Sequence, residues 1–173
     1  MRALARQLDV PERTLRRAAG QGLIRGERVS ERRFKTTLRE EAYLRRHWGL
    51  LSALRRALRT EPNVRLAVLF GSLARGEASE RSDVDLLVSL GDESAGAVAG
   101  LSGRLQERLG REVQLVRLRD AECSPGLMLD VLTEGRVLAD RDGLWPGLLA
   151  GERRWRRRVA AEPPLEALGD LEL

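Results

Sequence analysis

The sequence is poor in residue types on which several kinds of chemistry depend. It contains one cysteine, Cys123, and one histidine, His47. A lone cysteine cannot form a disulfide within the chain, and the two residues together offer almost nothing for a zinc site, a Ser-His-Asp triad or Cys-His chemistry. We expect Cys123 to be a small packing thiol and His47 a polar spot on a helix. Any chemistry must therefore rely on carboxylates, arginines and backbone groups.

Long hydrophobic runs are also lacking. The 173 residues are 42% hydrophobic and 33% charged, and the apolar stretches are far shorter than the ~20 residues that a membrane span requires. Residues 1–15 carry charges every few positions and have no apolar core of the kind found in signal peptides. We expect a cytoplasmic protein with no membrane partner.

The charge is unevenly distributed along the chain. Residues 1–63 hold 16 Lys and Arg against 7 Asp and Glu, whereas residues 64–150 hold 10 against 14. A basic first part favours a polyanionic partner, and an acidic middle part is where a cation site is expected. The distribution indicates two separate tasks.

The first 22 residues have the pattern of two short helices. Leu4 and Leu8 share one helical face, a break follows, and a second helix begins at Pro11 and ends by Gly20. The pattern resembles the bacterial helix-turn-helix, in which the second helix contacts double-stranded DNA. The residues predicted to reach phosphates and base edges are Arg13, Thr14, Arg16 and Arg17.

The next segments are predicted to be a wing and a long helix. Residues 23–33, with a turn at Gly26, form a short wing whose arginines contact the DNA backbone, unless they are only a solvated face. These arginines are Arg25, Arg28, Arg32 and Arg33. Residues 36–59 have leucines at helical spacing. This helix connects two units, and its apolar stripe predicts a homodimer.

The remainder has the pattern of an α/β domain. Strands are predicted over residues 64–70, 84–90, 112–118 and 136–139, with the last at the sheet edge. Helices are predicted over 96–109, 125–132 and 144–160. The chain therefore divides into a DNA-binding domain (1–35), a connecting helix (36–60), an α/β domain (64–160) and a tail (161–173).

The turn after the first of these strands has the features of a phosphate site. Gly71 and Ser72 follow the strand directly and open a helix, where free backbone N–H groups face outward. Glycine lets a phosphate approach the backbone, the Ser72 hydroxyl can donate to it, and Arg75 lies one helical turn further on. A P-loop is excluded, because Glu77-Ala78 stands where Lys-Ser/Thr is required.

Two carboxylates follow at the start of the next strand. Strand side chains alternate, so Asp83 and Asp85 point to one face while Val84 points into the core. Paired carboxylates beside a phosphate turn form a hard-oxygen site for Mg²⁺. The alternative, that the two aspartates only cap a loop and a strand, is less favoured after a Gly-Ser turn.

The combined motif, Gly71-Ser72-x-x-x-Gly76 followed by Asp83-x-Asp85, resembles the nucleotidyltransferase superfamily of DNA polymerase β, in particular its minimal nucleotidyltransferases. The similarity covers about residues 64–146. It implies a small α/β domain with a mixed sheet flanked by helices, which transfers a nucleoside monophosphate from an NTP to a hydroxyl of a small molecule, nucleic acid or protein. It also implies Mg²⁺ and NTP as cofactors, with ATP the expected nucleotide. Some members are antitoxins that AMPylate a partner toxin.

One position departs from the family pattern. The third family carboxylate, which binds the catalytic metal and helps to deprotonate the acceptor, corresponds here to Gln114. An amide is neither a base nor an anionic ligand, and Glu112 lies two residues earlier on the same strand face. Two interpretations therefore stay open: a DNA-binding, Mg²⁺-dependent nucleotidyltransferase, or a catalytically impaired DNA-binding regulator that senses nucleotide.

Overall fold

A computed structural model describes residues 1–30, 33–79 and 82–161. Arg32, the Arg33 side chain and the predicted tail from residue 162 onward lie outside this part. The elements are α1 (Arg2–Gln7), α2 (Glu12–Gly20), β1 (Glu27–Ser30), β2 (Arg33–Lys35), α3 (Leu38–Arg59), β3 (Val64–Phe70), α4 (Gly71–Arg75), β4 (Val84–Leu90), α5 (Ala95–Leu109), β5 (Val113–Arg117), α6 (Leu118–Ala121), α7 (Pro125–Glu134), β6 (Arg136–Asp140), α8 (Leu144–Ala150) and α9 (Glu152–Ala161).

The first 35 residues form two short helices and a hairpin. α2 buries Leu15 and Ala18 completely, and β1 pairs with β2 in antiparallel fashion. The hairpin is the ribbon expected for a wing, although its first strand begins only after Gly26. Whether this unit binds DNA stays a prediction.

α3 is held at its start by Thr37, whose side chain accepts a hydrogen bond from the Glu40 N–H. Its leucine stripe is covered by the rest of this chain, since Leu44, Leu54 and Leu58 are fully buried. A homodimer formed through this stripe would need the stripe to be uncovered. The buried leucines therefore do not support a dimer.

The sheet of the C-terminal part has four strands in the order β5-β4-β3-β6. β3 is antiparallel to both of its neighbours, whereas β4 and β5 are parallel. The mixed sheet flanked by helices confirms the predicted fold class. β6 is an edge strand, as predicted.

Alternate residues of the strands enter two hydrophobic clusters, one on each face of the sheet. The first cluster continues from the sheet, for example Leu69 and Leu86, through α3 and into α1 and α2. The second contains Val68 and Leu87 and is covered by α7, α8 and α9. The N-terminal helices and the sheet thus share one core, and the proposed domain boundaries stay a prediction.

A buried ion pair also joins the two parts. Nη1 and Nη2 of Arg136 lie 2.6 and 2.9 Å from the two carboxylate oxygens of Glu40, and the guanidinium stacks 3.5 Å from the centre of the Tyr43 ring. Arg136 Nε also donates to the carbonyl of Ala74. Removing one member of such a pair typically costs about 3–5 kcal/mol, so this contact fixes α4 against α3.

Two sequence expectations in the C-terminal half are wrong. The predicted helix 144–160 is two helices separated at Gly151, the residue that caps the first of them, and each helix buries one tryptophan, Trp145 or Trp155. Cys123 is exposed and is not a packing thiol. Among the described residues, no helix combines the length and apolar character needed to cross a membrane.

Candidate nucleotide-binding site

The turn after β3 lies directly against the second aspartate. Phe70 pairs with Asp85 in the sheet, and Gly71 has φ +71°, a left-handed conformation that favours glycine. A Cβ at Gly71 would lie 2.5 Å from Oδ2 of Asp85. Only glycine therefore allows the Gly-Ser turn and the Asp85 carboxylate to share this space.

Asp83 and Asp85 flank Val84, which is fully buried, whereas both aspartates are partly exposed. Burial, and secondly the negative charge of Asp83, raise the pKa of Asp85, while the positive charge of Arg75 acts in the opposite direction. No described side chain donates a hydrogen bond to Asp85. Two carboxylates that have no basic side chain at ion-pair distance among the described residues fit a hard divalent cation such as Mg²⁺.

Gln114 occupies the adjacent position on β5. It pairs with Asp85 in the parallel register, and its Nε2 donates a 2.9 Å hydrogen bond to Oδ2 of Asp83. Glu112 precedes the strand, and the described residues contain no group of three or more His, Cys, Asp or Glu side chains placed to hold a metal ion. The site thus offers two carboxylates and one amide.

Arg75 has a different environment from the one predicted. Its Nε donates to Glu77 at 2.7 Å and its Nη1 donates to Glu134 at 3.0 Å, and these hydrogen bonds to carboxylates raise the pKa of Arg75. The guanidinium is directed to two glutamates, and its charge acts on Asp85 through space. Ser72 stands one residue after Gly71 and is partly exposed.

A residue that the sequence did not single out holds the loop before the aspartates. Arg111 Nη2 donates to the carbonyl oxygens of Ser79 and Ser82, at 3.1 and 2.7 Å. These bonds anchor the backbone that leads into Asp83. No pattern in the sequence distinguishes Arg111 from the other arginines.

The residues predicted to bind DNA fall into two groups. Arg16 is paired with Glu12 on the surface of α2. Arg13, Thr14 and Arg17 instead line a cleft of about 300 Å³ between α2 and α3. The cleft also contains Trp48, Ser52, Arg55 and Arg59.

The cleft is strongly basic. Within the described part of the chain, none of its four arginines has a carboxylate at ion-pair distance. Burial, followed by the charges of Arg59 and Arg17, lowers the pKa of Arg55. Like charges held together without counter-ions are suited to phosphate groups. Sequence reasoning missed Arg55 and Arg59, because they belong to the helix that is predicted to connect two units and to form a homodimer.

Comparison with known proteins identifies the fold of this site. The family model for polymerase β nucleotidyltransferases matches residues 53–143. A toxin–antitoxin structure with AMP-PNP is 28% identical with a TM-score of 0.55, over 68% of this chain and 94% of that chain. The MntA–HepT toxin–antitoxin structure is 26% identical with a TM-score of 0.50, over 68% and 92%.

A mutant of that toxin–antitoxin pair is 25% identical with a TM-score of 0.52, over 70% of this chain and 94% of that chain. In this mutant, two aspartates that lie two residues apart are replaced by glutamate. Comparison with curated proteins by sequence gives no significant match.

Proposed function

The chain belongs to the polymerase β nucleotidyltransferase family, and we propose that it transfers the nucleoside monophosphate of an NTP to a hydroxyl group of a protein partner. The observation that carries this proposal is the contact between the Gly71 backbone and the Asp85 carboxylate. It joins a phosphate-binding turn to a cation site.

The NTP phosphates would bind at the turn after β3. α4 has only five residues, so the attraction comes from the local N–H groups and the Ser72 hydroxyl rather than from a long helix dipole. Arg75 contributes positive charge, but its N–H groups already serve Glu77 and Glu134. We therefore assign phosphate contact to Gly71 and Ser72, and a positioning role to Arg75.

Asp83 and Asp85 would hold Mg²⁺, which when bound neutralises the phosphates and aligns the reacting oxygen with the α-phosphorus. In the transfer, the acceptor oxygen forms a bond to the α-phosphorus and the bond to the bridging oxygen breaks. Pyrophosphate leaves and the hydroxyl proton passes to solvent. Gln114 cannot take that proton, so we expect turnover to be about 10²–10⁴-fold slower than at a site with a general base.

The comparisons favour ATP as the nucleotide and a protein as the acceptor. A structural neighbour is a toxin–antitoxin structure with AMP-PNP, an ATP analogue, and the MntA–HepT neighbour also pairs two proteins. The neighbour with two mutated aspartates supports a role for the pair formed here by Asp83 and Asp85. A nucleic-acid hydroxyl is the other acceptor to be tested.

One observation favours a second candidate function, a nucleotide-sensing regulator without turnover. The hydrogen bond from Gln114 to Asp83 occupies an oxygen that would otherwise bind metal, and it leaves the site without a base. Such a protein would bind ATP and Mg²⁺ and change its affinity for another partner.

We further propose that the N-terminal unit binds double-stranded DNA. The basic cleft between α2 and α3 supports this, because Arg13 and Arg17 of the predicted recognition helix face Arg55 and Arg59 of α3. The contacts would be mainly to phosphates, which determine affinity rather than sequence preference.

The test of transfer is an incubation of the full chain with α-³²P-ATP, Mg²⁺ and a candidate partner protein. We expect label on the partner and an equal amount of released pyrophosphate. ATP binding without either product would favour the sensor.

A further inference from the structure

The cavity beneath α4 contains polar groups that the nucleotide site does not use. It measures about 300 Å³ and lies where the N-terminal unit, α3, α4, α7 and β6 meet. Its walls include Arg25, Tyr43, Arg75, Glu134 and Arg136. This volume is at the lower end of the range for small-molecule sites.

Two side chains in this cavity have donors without acceptors. Nε and Nη2 of Arg25 and the hydroxyl of Tyr43 are buried, and no hydrogen-bond partner is present for them among the described residues. Tyr43 is only 7% exposed. A buried donor without an acceptor typically costs about 1–3 kcal/mol, so their convergence in one cavity indicates that a ligand with acceptor atoms belongs there.

The neighbouring charges show which kind of ligand fits. Arg136 is paired with Glu40, and Arg75 is paired with Glu77 and Glu134. Arg25 has no carboxylate at ion-pair distance within the described ranges. A ligand that carries negative charge would therefore supply the counter-charge that Arg25 lacks.

The protonation states of the two donors support the same choice. Burial, and secondly the charge of Arg136, lower the pKa of Arg25, while the more weakly acting charges of Glu40, Tyr43 and Glu134 oppose this, so a negative charge directly beside its guanidinium would be stabilising. Burial raises the pKa of Tyr43 to about 12, and the hydroxyl therefore remains a donor at neutral pH.

We propose that this cavity is a binding site for a small anion with at least two oxygen acceptors, a carboxylate or a phosphate. Arg25 would offer Nε and Nη2 to two oxygens of the anion, the paired geometry in which guanidinium binds such groups. Tyr43 would donate a third hydrogen bond.

The site lies between the N-terminal unit and the turn that carries Gly71 and Ser72. Arg25 precedes the β1–β2 hairpin, and Arg75 ends α4 only three residues after Ser72. Tyr43 also packs against the turn that follows α4, because a Cβ at Gly76 would lie 2.9 Å from its ring. An anion in the cavity thus contacts both the N-terminal unit and the C-terminal end of α4, the helix that begins at the nucleotide site.

The test is an NMR titration of the arginine Nε–Hε signals of the full chain, without nucleotide or metal and at constant ionic strength. Inorganic phosphate and propionate are added in separate experiments. The Arg25 signal is assigned by its loss in Arg25→Lys. We expect it to shift in a saturable manner at millimolar concentration with at least one of the two probes, and the probe that saturates identifies the ligand class.

Variants separate this site from general attraction of anions to a basic protein. Tyr43→Phe keeps the ring beneath Arg136 and removes only the hydroxyl, so we expect Kd to rise about tenfold, the scale of one hydrogen bond to a charged group. Arg46→Gln, which removes an exposed charge from α3, should leave Kd unchanged. A shift of Arg25 that does not saturate with either probe, or an equal Kd for wild type and Tyr43→Phe, would overturn the proposal.

Discussion

The side-chain amide of Gln114 donates a hydrogen bond to Asp83, with Nε2 2.9 Å from Oδ2. The family resemblance places a third carboxylate at this position, where it would face the same two aspartates. The amide instead gives Asp83 a hydrogen-bond donor in place of a third negative oxygen ligand, and it supplies no base. We therefore expect this position to decide between a site that only binds nucleotide and one that also turns it over.

Replacement of Gln114 by aspartate should restore the missing carboxylate. We expect Gln114→Asp to raise nucleotidyl transfer, or ATP hydrolysis if the acceptor is absent, by about tenfold or more. Gln114→Asn, which has the length of aspartate but keeps an amide, is the matched control in the same pyrophosphate assay. Robust wild-type turnover that Gln114→Asp leaves unchanged would show that another group already serves as base.

Replacement of Gly71 by alanine should disrupt the site through geometry alone. The positive φ costs a non-glycine residue about 1–2 kcal/mol, and the new Cβ would also meet Oδ2 of Asp85 at 2.5 Å. Gly110→Ala is the control, because Gly110 has φ +63° and a Cβ there would meet no atom within 4 Å. Denaturant unfolding should show a greater loss of stability for Gly71→Ala, and only this variant should lose ATP affinity.

The ionisation of Asp85 should reduce stability at neutral pH. The pKa of Asp85 is raised in the folded chain, by burial and then by the charge of Asp83. The free energy of unfolding therefore falls as the pH rises from the pKa of Asp85 in the unfolded chain through its pKa in the folded chain. Metal-free Asp85→Asn should therefore melt roughly 1–2 °C higher than wild type at pH 7, a small change because solvent screens the site.

The difference in melting temperature between Asp85→Asn and wild type should narrow as the pH is lowered toward about 4, near the ordinary pKa of aspartate. Asp130→Asn, at an exposed position of α7, is the control in the same thermal melts. A lower melting temperature for Asp85→Asn at pH 7 would contradict this account.

Much of the site could be predicted from local sequence. The buried strand, the Gly-Ser turn and the Asp83-Val84-Asp85 alternation depend on neighbouring residues, and β3, α4 and β4 lie where their patterns place them. The Glu40–Arg136 pair joins residues 96 positions apart, and the orientation of Arg75 toward Glu134 depends on a contact across 59 positions. Such contacts follow from the packing of α3 and α7 on the sheet, which no local pattern contains.

Removal of cleft arginines should weaken DNA binding if the N-terminal proposal is right. Arg17→Ala combined with Arg55→Ala should reduce affinity and lower the salt slope of binding by about 0.9 for each phosphate that is no longer neutralised. The full chain is required, because α1, α2 and the sheet share one core. Arg46→Ala serves as the control, and DNA affinity is measured by fluorescence anisotropy. Equal affinity of wild type and the Arg17→Ala, Arg55→Ala variant would refute the cleft as the DNA site.

We propose that Gly71, Ser72, Asp83 and Asp85 form one ATP and Mg²⁺ site, and isothermal titration of the full chain with ATP, with and without Mg²⁺, measures this binding. We expect Mg²⁺-dependent binding that falls sharply in the double variant Asp83→Asn, Asp85→Asn and less in Ser72→Ala. Circular dichroism should show that both variants remain folded. Wild-type protein that binds no ATP with Mg²⁺ at millimolar concentration would contradict both the transferase and the sensor.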